Sequence, residues 1–367
     1  MSRKRSEEAM DKLRHKFVVG AREKGFGNAA IIAAWKRMRS FASFGFPKSH
    51  AVAFALLVYE TAWLRMNFPA AYYASLINSQ PMGFYSVETL CNDARQHGLV
   101  IELPEVNESR EGAWPTGDGI RLGLRQVSRL GGDWRSRAGS PAERIASARD
   151  AGGHFSSLYD LLVRARLKHD EAEALIRADA LRSLGLSRRE LLWQLGLLVP
   201  QSGVQAALPL AIEQDMAVLP PLDGWDSVLW DFDTLGLSST HPMSLVRPLL
   251  NEGILTSQHI GGPMNANRMP QGLRVRVAGM VVCRQRPITA SGLIFMSLED
   301  EWGLTNAVLY RELQDRYREL VYAAPFLIIE GRIDNERSSF PHVIATKLYR
   351  CPTPSNRTPT PSSHDFA

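Results

Sequence analysis

The stretch FGFPKSHAVAFALLVY, residues 44–59, combines a chain break with an apolar run. Gly45 and Pro47 interrupt regular structure, and Ser49 is a residue type that often caps a helix N-terminus. The apolar residues that follow, 51–59, predict a buried helix. Working outward from this stretch, the sequence is helical before it and for a long way after it.

The start of that helix is a candidate anion site. A helix N-terminus offers unpaired N–H groups and the positive end of the helix dipole. Lys48 and His50 lie on either side of Ser49 and add groups that carry protons. These features favour phosphate as the ligand, although an ordinary cap beside a basic residue explains the spacing equally well.

The composition is that of a soluble globular protein with two or three domains. The chain has 367 residues, of which 45% are hydrophobic and 22% are charged. The longest apolar run is too short to cross a membrane, and no apolar signal core follows the first residues. The three cysteines lie far apart, which argues against a disulfide framework or a metal finger. We therefore expect a cytoplasmic protein without membrane contact.

The basic residues are concentrated in two blocks. Residues 1–50 hold 12 Lys or Arg against 4 Asp or Glu, and residues 121–170 hold 10 against 5. The net charge of the whole chain is only +5, so the rest of the chain is acidic. Two basic blocks suit a polyanionic partner such as nucleic acid. Solvated helix faces with nearby counter-charges are the alternative.

Apolar periodicity predicts a helical first half. The expected helices cover residues 6–24, 28–42, 50–66, 70–78 and 86–97, with a short strand at 100–104. Residues 120–198 continue helically, and two sets at helical spacing are expected to pack in a core. These sets are Phe155, Leu158, Leu161 and Leu162, and then Leu175, Ala178 and Leu181.

Residues 272–350 change to strand patterning. Apolar and basic residues alternate from Leu273 to Val277, and further strands are expected at 292–299, 304–310, 326–333 and 341–348. A helix from Arg311 to Ala323 falls between the third and fourth of the five strands. That order is typical of an OB-fold barrel. The predicted fold class is therefore multidomain α+β, mostly α-helical at first, with a C-terminal OB-fold.

Three separate motifs resemble the bacterial C-family DNA polymerases, the family of the replicase III alpha subunit. The stretch FASFGFPKSHAVAFALLVYETAWL, residues 41–64, resembles the fingers region of that family. NSQPMGFYS at 78–86 and RQRP at 284–287 resemble the error-prone branch rather than the main replicase. The motifs occur in the family's order, and the resemblance extends to about Arg350.

The resemblance implies a division into regions. They are a helical fingers region (1–110), a helix-hairpin-helix DNA-binding region (111–198), an acidic connector (199–271), an OB-fold domain (272–350) and a disordered tail (351–367). It further implies that Lys48, Ser49 and His50 line the incoming nucleotide. The family's palm, with its catalytic aspartates and Mg²⁺, should lie upstream of Met1, so the chain looks like a C-terminal part of such an enzyme. No catalytic residue, metal ligand or cofactor is predicted within it.

Asp231 and Asp233 are the one carboxylate pair that could hold a metal for phosphoryl transfer. On a strand both side chains would point to the same face. The pair nevertheless lies in the acidic connector, far from where the resemblance places the palm. We therefore favour a connector role over a metal site.

A helix-hairpin-helix grips DNA phosphates with backbone N–H groups in a glycine-rich turn. Residues 127–131 resemble its first half and residues 142–145 its second, with an insertion between them. Arg129 replaces the first turn glycine and should resist a positive φ, which predicts a remodelled hairpin. DNA contacts are predicted here for the following side chains: Arg125, Arg129, Arg135 and Arg137. A plain surface loop is the alternative for the insertion.

An OB-fold binds single strands with a basic groove and stacking aromatic rings. The residues expected to do so are Arg274, Arg276, Arg284, Arg286 and Phe295. Phe295 lies between two apolar residues and could equally be part of the core. Docking of another protein is the alternative use of this domain.

The function predicted by resemblance is that of a C-terminal part of an error-prone, damage-tolerant DNA-directed DNA polymerase. Without palm carboxylates the chain should be inactive alone. The expected partners are primer-template and single-stranded DNA, a deoxynucleoside triphosphate, a separate palm-containing fragment and a clamp-recruiting accessory protein. The alternative is a non-enzymatic DNA-binding scaffold that acts beside a separate polymerase chain.

Overall fold

The computed structural model describes residues 7–40, 48–82, 86–131, 139–198, 219–261, 269–287, 292–335 and 341–359. The chain divides into two compact units, Met1–Phe68 and Pro69–Ala367.

The described residues of the first unit, 7–40 and 48–68, form three helices, close to where the sequence predicts them. They are α1 (Glu7–Glu23), α2 (Asn28–Ser40) and α3 (Lys48–Asn67). Gly25 ends α1 with φ of 80°, and the Phe26 amide donates to the Ala21 carbonyl at 3.1 Å. This left-handed glycine ending is the C-cap that the sequence predicts. Trp35 is the centre of a small apolar cluster between α1 and α2.

The prediction that α3 is buried is wrong. The helix forms, but its large apolar side chains are exposed, among them Tyr59 at 70% and Met66 at 83%. An apolar run sets helix formation locally, whereas burial requires a second apolar surface. Within the described residues, no helix has the combination of length and apolar character that a bilayer crossing requires.

The second unit begins with a helical region that also carries a small sheet. Its elements are α4 (Pro69–Asn78), α5 (Val87–Gln96), β1 (Val100–Glu102), β2 (Trp114–Thr116), β3 (Gly119–Arg121), a 3₁₀ turn (Leu124–Gln126), α6 (Pro141–Gly152), α7 (Leu158–Ala165), α8 (His169–Arg177), a second 3₁₀ turn (Arg182–Leu184) and α9 (Arg188–Leu198). Strand β3 lies in the middle of the sheet, parallel to β1 and antiparallel to β2.

A single apolar core holds this region together. Most of the residues predicted to pack at helical spacing are buried in it: Phe155, Leu158, Leu161, Leu175, Ala178 and Leu181, with Leu162 partly buried against it. Serine side chains fix two of the helix starts, because Ser140 Oγ accepts from the Glu143 amide and Ser157 Oγ accepts from the Asp160 amide. The core therefore positions α6, α7 and α8 and the turns between them.

Short helices link this region to a larger sheet. They are α10 (Gly224–Leu235), α11 (Pro242–Val246), a 3₁₀ turn (Arg247–Leu249) and α12 (Ser257–Ile260), with the two-residue strand β4 (Ile254–Leu255). Helix α10 packs Trp225, Val228 and Phe232 into a cluster that includes Met280 and Phe326 of the sheet. Part of the segment predicted as a connector thus covers one face of the sheet.

The C-terminal sheet consists of β4 and five longer strands. These are β5 (Arg274–Gln285), β6 (Ile294–Asp300), β7 (Gly303–Leu309), β8 (Phe326–Asp334) and β9 (His342–Arg350), with α13 (Arg311–Arg316) and α14 (Arg318–Ala323) between β7 and β8. Pairing runs β5–β6–β7–β9–β8, and β8 also pairs with β5. The predicted strand positions are confirmed, and the predicted helix is present as two short helices that meet at Tyr317.

The segment after β9 contacts helix α10 where the structure describes it. Trp225 Nε1 donates to the Arg357 carbonyl at 3.0 Å and to Ser355 Oγ at 3.1 Å. The composition of 351–367, which is rich in proline, threonine and serine, predicts a disordered tail, and this stays a prediction. Residues 360–367 lie outside the described residues.

Candidate nucleic-acid interface

The predicted nucleotide-binding residues lie at the start of α3 in the first unit. Helix α3 begins at Lys48, so Ser49 lies in its first turn and the prediction that Ser49 is the N-cap is wrong. Ser49 and His50 are exposed, and the His50 ring packs 4.3 Å from the Phe54 ring one turn later. The side chain of Lys48 and residues 41–47 lie outside the described residues. Nucleotide binding by these three residues stays a prediction.

The first hairpin turn, residues 127–131, keeps the backbone conformation that a glycine would give it. Arg129 has φ of 69°, so the expectation that it would avoid a positive φ is wrong. Two features hold the turn in this conformation, which is costly for an L-residue such as arginine. Leu130 beside it is fully buried, and Arg129 Nη1 donates to Asp170 Oδ2 at 2.9 Å. The Ala142 amide donates to the Leu130 carbonyl at 3.2 Å and closes the turn onto α6.

The insertion in this hairpin includes residues 132–138, which lie outside the described residues. The predicted DNA contacts of Arg135 and Arg137 fall there and stay predictions.

A second basic turn, which the sequence analysis did not single out, joins α7 to α8. Arg166 has φ of 50°, and the side chains of Arg166, Lys168 and His169 are exposed. The signal was present in the sequence, because two amphipathic helices are separated there by a short stretch within the basic block 121–170. Glu171 Oε2 accepts from the Lys168 amide at 2.9 Å, so a side chain already occupies part of this helix start.

Contacts between side chains hold the two turns next to each other. Arg144 of α6 donates to the Gly139 carbonyl at 3.0 Å and to the Ala165 carbonyl at 3.1 Å, and it pairs with Glu171 at 2.8 Å. The Arg129–Asp170 pair joins the first turn to the start of α8. We call the exposed basic residues of both turns, Arg129, Arg166, Lys168 and His169, the paired-turn surface.

Asp170 is the carboxylate that pairs with Arg129 of the paired-turn surface. The hydrogen bond from Arg129 lowers the pKa of its carboxyl, so Asp170 stays ionised at neutral pH. The pair is exposed on both sides, at 62% for Arg129 and 49% for Asp170. Ion pairs between exposed side chains are weak, so a phosphate can compete for Arg129.

Arg125 contacts protein in this structure. Its Nη2 donates to Asn78 Oδ1 at 2.7 Å and to the Asn78 carbonyl at 3.0 Å. The Asn78 amide also bonds both backbone groups of Ala113, with its Nδ2 2.6 Å from the carbonyl and its Oδ1 2.8 Å from the N–H. The predicted DNA residue Arg125 therefore links α4 to the segment that leads into the first turn.

Asp231 and Asp233 do not converge on a common point. They lie on helix α10 rather than on a strand. Asp231 is buried, pairs with Arg188 at 2.8 Å and accepts from Ser238 Oγ at 2.6 Å, whereas Asp233 pairs with Arg177 at 3.1 Å. Burial raises the pKa of Asp231 against the opposing effect of Arg188. These residues do not fit a shared Mg²⁺, and the described residues include no group of three potential ligands elsewhere.

The predicted basic residues of the C-terminal sheet have different surroundings. Arg274 and Arg286 are exposed, whereas Arg276 pairs with Glu330 at 3.2 Å. Arg284 donates to the Val321 carbonyl at 2.8 Å and the Ala324 carbonyl at 2.7 Å, at the end of α14.

Phe295 of the C-terminal sheet is partly buried on β6. It lies opposite Gln285 and Val308, while its neighbours Ile294 and Met296 point into the core. Its ring therefore belongs to the other face of the strand, and its role in DNA stacking stays a prediction.

Comparisons with known proteins identify relatives of this chain. Residues 98–191 match the family described as "Helix-hairpin-helix motif". The error-prone DNA polymerase of Anaeromyxobacter dehalogenans (strain 2CP-C) is 40% identical over 348 residues, which cover 91% of this chain and 29% of that protein. That of Mycobacterium tuberculosis (strain ATCC 25618 / H37Rv) is 37% identical over 356 residues, covering 95% and 31%. The chain thus spans under a third of the length of these relatives.

Among solved structures, an asparaginyl-tRNA synthetase from Pyrococcus horikoshii is 19% identical with a TM-score of 0.22. The aligned part covers 29% of this chain and 26% of the synthetase chain. This likeness is too low to carry an argument. The resemblance that the sequence motifs indicated is confirmed by the curated relatives.

Proposed function

This chain is a relative of the error-prone DNA polymerases over nearly its whole length, and from that premise we propose that it holds DNA and the incoming nucleotide during damage-tolerant DNA synthesis. The matched segment covers only 29–31% of those relatives. We propose that the Mg²⁺-binding carboxylates that join nucleotides are provided by the remaining part of such a polymerase. The separate ion pairs of Asp231 and Asp233 support this division.

The observation that carries the proposal is the paired-turn surface. Two left-handed turns, at Arg129 and Arg166, lie next to each other and expose cationic side chains. Side chains and backbone amides of this kind position a protein on the phosphates of DNA without reading sequence. Because Glu171 already accepts from the Lys168 amide, we assign the contact at the second turn to side chains. The expected ligand is the sugar-phosphate backbone of duplex primer-template.

The exposed apolar surface of α3 supports the second half of the proposal. Its large apolar residues cover more surface than soluble proteins usually leave uncovered. They are Val52, Phe54, Leu56, Leu57, Val58, Tyr59, Trp63, Leu64 and Met66. We propose that α3 packs on the palm-containing remainder of the polymerase, so that Lys48, Ser49 and His50 approach the triphosphate.

The strand order of the C-terminal sheet supports an OB-fold. Five strands pair in the order β5–β6–β7–β9–β8, with helices between the third and fourth. We propose that a path for single-stranded template runs along Arg274, Arg276, Arg286 and Phe295. A clamp-recruiting accessory protein is the alternative ligand of this sheet.

Duplex binding is tested by fluorescence anisotropy of a labelled primer-template over a series of KCl concentrations. The variant Arg129→Ala/Arg166→Ala/Lys168→Ala should bind more weakly at every salt concentration. Its log–log salt slope should fall by about 0.9 for each phosphate that the variant no longer neutralises. The matched control Arg318→Ala/Lys347→Ala/Arg350→Ala removes the same charge from exposed positions on α14 and β9. Equal slopes for the two triple variants would overturn the assignment.

The polymerase role is tested by complementation. The chain is mixed with the palm-containing remainder of a relative, primer-template, Mg²⁺ and deoxynucleoside triphosphates. Extension is expected only when both proteins are present. Extension by this chain alone would refute the proposed division, whereas DNA binding without extension in the mixture would favour the scaffold function.

A further inference from the structure

Helix α5 and strand β6 bury two carboxyl groups where the helical region meets the C-terminal sheet. Glu88 of α5 is 4% exposed, and Glu299 of β6 is 3% exposed. Both face the same junction, because Asn92 lies one helical turn after Glu88 and donates to Glu299 Oε1 at 3.0 Å. Within the described residues, Glu299 Oε2 has no hydrogen-bond partner. A buried carboxylate oxygen without a partner is costly, and protonation removes that cost.

The junction is tightly packed around this pair. A Cβ atom placed on Gly303, at the start of β7, would come within 3.2 Å of Gln96 Nε2 at the end of α5. Arg95 donates to Asn92 Oδ1 at 2.6 Å and to the Ser238 carbonyl at 3.2 Å. Water therefore has little access to either carboxyl group while the two elements are docked.

We propose that the buried carboxyl groups of Glu88 and Glu299 are protonated when the C-terminal sheet is docked on α5, and that loss of these protons loosens the docking. The electrostatics agree with the geometry. Burial raises the pKa of Glu88 well above its usual range, with further repulsion from Glu299 and partial compensation by Arg95. Burial likewise raises the pKa of Glu299 to about 7, while the Asn92 hydrogen bond lowers it and Asp300 raises it. Two coupled groups of this kind titrate as a pair.

The other titratable groups at the junction do not replace this effect. Burial raises the pKa of the Cys91 thiol to about 12 and lowers the pKa of the His241 imidazole to about 4, so both are neutral near pH 7. Asp300 accepts from the Ser257 amide and hydroxyl. Glu301 is neutralised by a bidentate pair with Arg247. Arg95 is the remaining cation, and its attraction does not offset the burial of both carboxyl groups.

The direction of the pH dependence follows from these shifts. When the elements separate, both carboxyl groups regain water and ionise near 4.5, whereas the docked Glu299 keeps a proton to about 7. Docking is therefore strongest below pH 4.5 and weakens as the pH rises to about 7. Each additional proton held by the docked state changes the docking equilibrium roughly tenfold per pH unit.

Hydrogen exchange on the full chain between pH 5 and pH 8 tests the proposal, after correction for the intrinsic pH dependence of exchange. In the wild type, protection of α5 and β6 should fall between pH 5 and 7 by roughly tenfold per pH unit for each proton that the docked state holds. Strand β9, away from the junction, serves as the internal reference. The variant Glu88→Gln/Glu299→Gln mimics the neutral pair, so its protection should stay constant with pH.

A matched control carries Glu312→Gln and Glu319→Gln, two exposed carboxyl groups of α13 and α14. It should follow the wild type. A wild-type slope retained in the double Glu88/Glu299 variant, or no slope in the wild type, would overturn the proposal. If the double variant does not fold, an NMR titration of the Glu299 carboxyl group in the wild type tests the proposal instead. A midpoint near 4.5 rather than near 7 would refute the proposal that the docked carboxyl group keeps its proton.

Discussion

The paired-turn surface and the C-terminal sheet are both rich in arginine, but they use the side chains differently. In the turns, Arg129 and Arg166 are exposed, and Arg129 is held by a single exposed ion pair. In the sheet, Arg284 is only partly exposed and donates to two backbone carbonyl groups. The difference indicates that an arginine found by sequence is available to a ligand only where the fold leaves its cation accessible.

The largest effect is expected where the first turn enters the core. Leu130 is fully buried, so Leu130→Ala should lower the free energy of unfolding by about 3 kcal/mol, because apolar burial is reduced and a cavity remains. Urea denaturation followed by circular dichroism measures this change. Leu304→Ala on β7 is the control, because Leu304 is 47% exposed. If both variants were destabilised equally, the first turn would not depend on its buried leucine.

Arg284→Ala should destabilise the protein by about 2 kcal/mol, because two charge-assisted hydrogen bonds to the end of α14 disappear. Thermal unfolding measures this change, with Arg286→Ala as the exposed control. The salt slope of DNA binding by folded Arg284→Ala should equal that of the wild type. A changed slope without a change in stability would move Arg284 back among the DNA contacts that the sequence predicted.

Arg129→Gly separates backbone strain from charge. Glycine adopts a φ of 69° without the cost of about 1 kcal/mol that an L-residue carries there, so stability should be equal or slightly higher. Duplex affinity should nevertheless fall, with a salt slope smaller by about 0.9. Arg129→Ala is the matched comparison, since it removes the same charge and keeps the strain. If the glycine variant bound DNA as tightly as the wild type, the backbone of the turn alone would make the contact.

The sequence predicted local structure well and tertiary consequences less well. Strand positions followed from period-two alternation, and helix positions followed from apolar spacing with Gly25 as a cap, because these signals are local. The prediction that α3 is buried failed because the burial of a helix depends on a partner surface. The prediction that Arg129 avoids a positive φ failed because the residues that hold the turn act through the fold. Leu130 is buried in the core, and Asp170, which pairs with Arg129, lies 41 residues away. The second turn at Arg166 was missed because it carries no glycine.

The candidate site was only partly predictable because the partners of its side chains are distant in sequence. Arg125 and Arg284 were chosen for their charge, but their partners, Asn78 and the end of α14, are distant in sequence. An arginine's charge is visible in the sequence, whereas the carbonyl groups that compete for it become visible only in the fold. Asp231 and Asp233 illustrate the same point for carboxylates, since a helix directs them to different partners.

The smallest effect is expected for Arg276→Ala. Its pair with Glu330 is exposed on the arginine side, so the variant should be destabilised by no more than about 0.5 kcal/mol. If single-stranded template follows the proposed path along β5, the variant should still bind duplex normally and bind single strands more weakly at low salt. Glu330→Gln provides the complementary control, because it releases the Arg276 guanidinium and should strengthen single-strand binding. Unchanged single-strand affinity in both variants would remove Arg276 from the path and leave the paired-turn surface as the site where the chain contacts DNA.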